Sequence, residues 1–120
     1  MKLCIPVTRN EGLASPVCGH FGSAPVFLVV DTESGSFEAV TNDVNRNALQ
    51  GAGIASAELV ADRGAEAVIT GHLGPKAFSA LGAAGIRGYD GTGMTAAAAL
   101  AALAEGKLRS LDEAGEAHAG

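Results

Sequence analysis

From residue 51 onward the chain repeats one pattern: a helix-forming stretch closed by glycine, then a short strand-like run. Ile54 to Arg63 predicts a helix stopped at Gly64, and Ala65 to Thr70, "AEAVIT", predicts a buried strand. Pro75, the favoured first helical residue, opens a second helix with Phe78 and Leu81 on its apolar stripe and Gly85 at its end. Ile86 to Tyr89 predicts another short strand and "DGTGMT" a turn. Thr95 to Glu105 predicts an alanine-rich helix, with Leu100 and Leu103 inward and Gly106 as its stop. Strands joined through helices lie parallel in one sheet, because such crossovers are right-handed and pack back onto the sheet.

The first half of the chain differs. Leu3 to Val7 predicts a buried strand, and residues 9–23 form a loop bearing glycine, proline and serine. Pro25 to Asp31 is a strand that ends in the turn "DTESG", and Ser36 to Val40 alternates as its half-exposed hairpin partner. The order is β-β-β-α-β-α-β-α: an antiparallel hairpin added to a parallel sheet. The 120 residues fit one domain, expected over 1–108, followed by a polar tail over 109–120 that frays from Lys107.

Composition bounds the function. Hydrophobic residues make up 48% and aromatic ones only 4%, so the core is built from Ala, Val, Leu and Ile at close approach. A net charge of −5 argues against wrapping a nucleic-acid backbone, which needs a basic field. Two cysteines, Cys4 and Cys18, are fewer than a small disulfide scaffold carries. The start, "MKLCIPVTRN", reads as a strand rather than a secretory signal, and no apolar run approaches the ~20 residues of a membrane span. A cytoplasmic protein with free thiols and no membrane segment is expected, and the lack of an obvious apolar patch favours a monomer.

Eight of the 17 glycines pair up in four loops: Gly19 and Gly22, Gly51 and Gly53, Gly71 and Gly74, Gly91 and Gly93. Loops beyond the carboxyl ends of parallel strands gather at one rim of an open α/β sheet. Bare glycine amides and helix N-termini there can hold an anion. The alternative is that these glycines only cap helices and shape turns. Neither GxxxxGK[ST] nor a strand followed by GxGxxG occurs, so nucleotide binding has no motif behind it.

Five blocks together carry a family resemblance: "MKLCIPV" at the start, "HFGSAPVFLVVD" at 20–31, "GAGIASAELVADRGAEAVITG" at 51–71, "GPKAFSALGAAGIRGYDGTG" at 74–93 and the closing "TAAAALAALAEGKL". They resemble the nitrogenase iron–molybdenum cofactor-binding superfamily, which takes in the NifX-like carriers and the orange protein type with its molybdenum–copper sulfide cluster. The resemblance implies an α/β, ribonuclease H-like fold, a five-stranded mixed sheet with helices on both faces. It also implies a carrier of an anionic molybdenum-containing metal–sulfide cluster, of thiomolybdate–copper type and held mostly without covalent bonds. The alternative cargo is an iron–molybdenum cofactor or its precursor. A cluster-receiving enzyme, or a division-type ATPase, is the implied protein partner. The family often has arginine after HFG; here the residue is Ser23, which removes a cation from the site.

Sulfide-rich anions are met by backbone N–H donors and cationic side chains, and copper by imidazole or thiolate. His20 matches the family position and is the first metal-binding candidate, with His72 and Cys18 as possible helpers. Phe21, Gly22, Gly51, Gly53, Gly71, Gly74, Gly91 and Gly93 are expected to line the cradle, with Leu73 or Met94 as further apolar contacts. Arg46, Lys76 and Arg87 could supply counter-charge. Cys4 is expected in the core, Cys18 as either a ligand or an exposed redox-prone thiol, and His118 in solvent. Two enzyme readings compete. A Cys18/His20 hydrolase would need its base oriented by a third group. A nuclease would need clustered carboxylates from Asp31, Asp43, Asp62 and Asp90.

Overall fold

The computed structural model describes residues 1–42 and 51–112. Five strands, β1 (Lys2–Val7), β2 (Val26–Asp31), β3 (Phe37–Thr41), β4 (Ala67–Thr70) and β5 (Arg87–Asp90), form one sheet in the order β3-β2-β1-β4-β5. β1 pairs antiparallel with β2 and parallel with β4, β2 pairs antiparallel with β3, and β4 pairs parallel with β5. Three helices complete the described residues: α1 (Ala52–Asp62), α2 (Pro75–Ala83) and α3 (Ala96–Ala104). This is the mixed α/β fold expected from the alternation of elements.

Side-chain alternation divides the core in two. On one face Cys4, Phe27, Val29 and Val68 pack under α1 and α2, against Val60, Ala77 and Leu81. On the other, Leu3, Ile5, Leu28, Val30 and Ile69 pack against α3. α3 meets the sheet through Ala96 and Ala99, both fully buried, while Leu100 and Leu103 lie at its margins, half-buried. The leucines expected to point inward therefore flank the contact. Alanine lets the helix axis come close, and the larger side chains spread to either side. β3 is more open than a half-exposed strand, with only Val40 half-buried among Phe37, Glu38, Ala39 and Thr41.

The stretch expected to fray is docked as far as Asp112. The amide of Asp90 donates to the Arg109 carbonyl at 2.9 Å and that of Leu111 to the Gly88 carbonyl at 2.9 Å, so Arg109–Leu111 lies antiparallel along the edge of β5. Polarity alone suggested a free tail. The missing side chain of Gly88 makes a seat for Leu111, whose Cβ lies 3.5 Å from where a Gly88 Cβ would stand. Residues 113–120, with His118, lie outside the described residues.

Cys4 is fully buried, as its place in a strand predicted. Burial pushes its thiol up to about 12, with smaller opposing effects from Arg63, which lowers it, and Glu38, which raises it. At pH 8 the native thiol should carry about a thousandfold less thiolate than the same cysteine unfolded. Iodoacetamide followed by mass spectrometry should modify Cys4 only after denaturation; comparable rates in the native protein would contradict this burial.

Candidate functional site

The segment after the first long loop is held at the end of the sheet. Val17 bridges Val7, and the Cys18 amide donates to the Pro6 carbonyl at 2.7 Å. The chain then runs parallel to the segment that leaves β4. Gly71 donates its amide to the Cys18 carbonyl at 3.3 Å, Phe21 donates to the His72 carbonyl at 3.4 Å, and His20 and His72 bridge as partners. The buried hydroxyl of Thr70 also donates to the Cys18 carbonyl at 3.3 Å. This pairing requires glycine. A Cβ on Gly71 would stand 2.8 Å from the Gly19 Cα and 2.9 Å from its carbonyl oxygen.

The two imidazoles therefore meet, edge to face, with ring centroids 5.8 Å apart and planes at 70°. His20 is exposed and His72 half-buried. The Nε2 of His72 is buried and has no hydrogen-bond partner among the described residues. An unsatisfied buried nitrogen costs stability, and in native proteins it often marks a place that a ligand completes.

Two helix starts converge beside this pair. A Cβ on Gly22 would stand 3.1 Å from the Gly53 backbone, and one on Gly53 would stand 3.1 Å from the Ala77 Cβ and 3.4 Å from its amide nitrogen. The first turns of α1 and α2 thus abut each other and the His20 loop. The amides of Ala52, Gly53, Ile54, Lys76 and Ala77 have no acceptor among the described residues, and neither helix has a side-chain cap. No acidic residue lies in either first turn, although the chain carries 13 acids. Acids usually gather there to offset the helix dipole; their absence leaves two positive ends uncompensated. α3 is different: Ala96 and Ala97 donate to the Ser15 and Leu13 carbonyls, and Ala98 to the Thr95 hydroxyl. Its N-terminus is closed.

The loops of Gly19–Gly22, Gly51–Gly53 and Gly71–Gly74 thus come together, with Lys76 exposed in the first turn of α2. The fourth loop adjoins them through the Gly91 amide on the Thr70 carbonyl at 2.9 Å, next to Gly71, and through the Val17 amide on the Met94 carbonyl at 2.9 Å. Gly91 is buried, and a Cβ there would stand 2.6 Å from Ile69, so it is a packing glycine; Gly93, at φ 79°, faces open space. Arg46 lies outside the described residues. Arg87 begins β5, at the opposite end of that strand from the Gly91 turn, so it is not a rim cation.

Four side chains depart from the expected rim roles. Phe21 is 1% exposed and packs on Phe27 with centroids 5.3 Å apart, leaving the rim only its backbone. Leu73 is likewise buried, and Met94 is half-buried against the α3 side of the core. Cys18 is buried rather than an exposed thiol, and its Sγ–H donates to the His20 carbonyl at 3.4 Å. The sulfur is engaged with backbone and not with an imidazole, so no nucleophile–base pair is assembled. Asp31, Asp62 and Asp90 end three different elements, and no group of three or more His, Cys, Asp or Glu side chains forms a metal-ligand cluster among the described residues.

Two positioning residues carry no motif. Asn42 and Ser56 are buried; the Asn42 amide nitrogen donates to the Ala24 carbonyl at 2.9 Å and to the Ser56 hydroxyl at 3.1 Å. The Ser56 hydroxyl reaches the Gly22 carbonyl at 3.3 Å. Together they clamp the His20 loop to α1. The only hint was Ser56 itself, a polar residue four positions from buried Val60 on the same stripe.

Residues 1–106 match the family model described as dinitrogenase iron-molybdenum cofactor. The chain belongs to that family. A relative, an uncharacterized protein of Methanocaldococcus jannaschii (MJ0580), is 32% identical over 114 residues, covering 93% of this chain and 92% of its own. The apo form of the orange protein from Desulfovibrio gigas superposes with a TM-score of 0.91 at 33% identity, over 96% of each chain. An NMR structure of a Thermotoga protein provisionally assigned as NifB gives 0.83 at 32% identity, over 96% of this chain and 97% of its own. The family resemblance seen in the HFG and GPKAF blocks is thus confirmed by both sequence and fold. No helix among the described residues is long and apolar enough to cross a membrane.

Proposed function

We propose that this family member binds and carries an anionic, molybdenum-containing metal–sulfide cluster, of molybdenum–copper type, in the cytoplasm. The carrying observation is the meeting of two uncapped, acid-free helix N-termini with a histidine pair whose buried Nε2 lacks a partner among the described residues. The donor set fits such a cargo. Backbone amides from α1, α2 and the glycine loops offer many N–H groups to sulfide, and Lys76 adds a mobile cation. Imidazole nitrogen from His20 and His72 suits copper. A bare metal ion would want three or four converging ligands, which the described residues do not assemble; a preformed anion needs only a cradle. Cys18 acts here as a support for His20 through its carbonyl rather than as a first ligand. The role is carriage or assembly, not catalysis, and it calls for a receiving protein.

The family's description favours a second cargo, an iron–molybdenum cofactor or its precursor. One experiment separates them. The purified protein is mixed with tetrathiomolybdate and Cu(I), desalted, and analysed for metals and visible absorption. Retained molybdenum and copper with charge-transfer bands is the expected result, weakening as salt rises because the hold is partly ionic. A protein that stays colourless and metal-free with these reagents, and takes up iron–molybdenum cofactor instead, would replace the first reading by the second.

A further inference from the structure

The edge of β5 is covered by the chain's own Arg109–Leu111, yet poorly filled. Two backbone hydrogen bonds hold this strap, from Asp90 and from Leu111. Its ion pair among the described residues, Arg109 to Asp90 at 3.2 Å, uses a side chain that is 78% exposed, and exposed pairs contribute little. Beneath the strap lies a cavity of about 430 Å³, walled by Leu73, Phe78, Leu81, Ile86 and Leu111. Leu111 is only half-buried beside this space, whose wall also includes the polar residues Arg87, Ser110 and Asp112.

We propose that the β5 edge is a docking site for an extended segment of a partner protein, which replaces the strap. The strap shows in cis what the edge accepts: an antiparallel strand with a cation opposite Asp90 and an apolar side chain over Gly88. Open sheet edges recruit strands in this way, with main-chain bonds giving affinity and pockets giving specificity. The cavity sets the specificity. A phenylalanine at the place of Leu111 fills more of it than leucine does, so the partner segment carries a basic residue followed two positions later by an aromatic one. The edge also touches the rim: the Leu73 Cδ1 stands 2.9 Å from where a Gly88 Cβ would be, and Leu73 follows His72 directly. An occupant pressing into the cavity shifts Leu73 and so the His72 loop. This coupling matters for cargo only if the function proposed above holds; the docking does not depend on it.

The test uses the full chain without cargo, so it succeeds or fails separately from cluster binding. Fluorescent peptides copying Leu108–Asp112, in the native form and with Leu111→Phe or Leu111→Ala, are titrated into the protein and followed by anisotropy and amide NMR. The Leu111→Phe peptide should bind about tenfold more tightly than the native peptide, and the Leu111→Ala peptide more weakly than both. Amide shifts should centre on Gly88 and Asp90 and extend to His72. A protein carrying Arg109→Ala and Leu111→Ala, with its strap loosened, should bind the Phe peptide more tightly still. No binding to either protein, or binding that leaves Gly88 and Asp90 unmoved, would overturn the proposal. Equal affinity for the Phe and Leu peptides would remove the cavity's role, and an unmoved His72 the coupling to the rim.

Discussion

Changing His20 and His72 together to alanine should abolish retention of a thiomolybdate–copper cargo without weakening the fold. The pair brings two imidazoles to one point, one exposed and one with a buried nitrogen that nothing among the described residues satisfies. Loss of outer-sphere partners of a metal centre typically costs 10–100-fold in affinity, so loss of both nitrogens should cost about a hundredfold or more. Stability should change little. His20 is exposed, and removing His72 also removes a buried polar atom that no described residue satisfies, which offsets part of the lost packing. Metal content after desalting measures the first effect and thermal melting the second. If the double variant keeps its metal, the histidines are structural; if it melts well below the parent, the buried nitrogen had a partner after all.

The largest effect on stability among the rim positions is expected from Gly71→Ala. The added methyl would meet Gly19 backbone at 2.8 and 2.9 Å, and backbone on a paired segment cannot rotate away as a side chain can. Overpacking of this kind costs about 2–4 kcal/mol. A chain of this size should then melt roughly 10 °C lower. The shift would also part the Gly71–Cys18 hydrogen bond and separate the two histidines, so cargo uptake should fall with it. Gly74→Ala is the control: a Cβ there meets nothing, and its φ of −67° suits alanine. That variant should melt within a few degrees of the parent, because alanine restricts the unfolded chain but caps α2 less well than glycine. Equal melting temperatures for the two variants would show that Gly19 and Gly71 do not approach as described.

The elements themselves were legible because each carries its own local signal. Pro75 opens α2, and Gly64, Gly85 and Gly106 end their helices at positive φ, as a left-handed cap needs. β1, β2 and β4 stand out by their apolar runs. What could not be read was long-range. Nothing local says that the Leu13 and Ser15 carbonyls plug α3 while α1 and α2 stay open. Nothing local says that Phe21 turns inward, since an aromatic residue beside a histidine suits a rim as well as a core. Lys107–Asp112 was misread because its polar residues hide two apolar ones: Leu108 packs beside α3's side of the core, and Leu111 takes a seat that exists only because Gly88 lacks a side chain. The histidine pair falls between these cases: both residues stood out in the sequence, but their meeting depends on Gly19 and Gly71 touching.

A rim written largely in main chain has a consequence for how it should be probed. An alanine scan trims side chains, and at most of these positions there is no side chain to trim. Such a scan would report the two histidines and Lys76 and pass over the rest. The informative mutation is the reverse one, which adds atoms where the backbone needs bare space. By the same logic, relatives could differ widely in their side chains and still hold the same kind of cargo, provided that the glycines stay where they are.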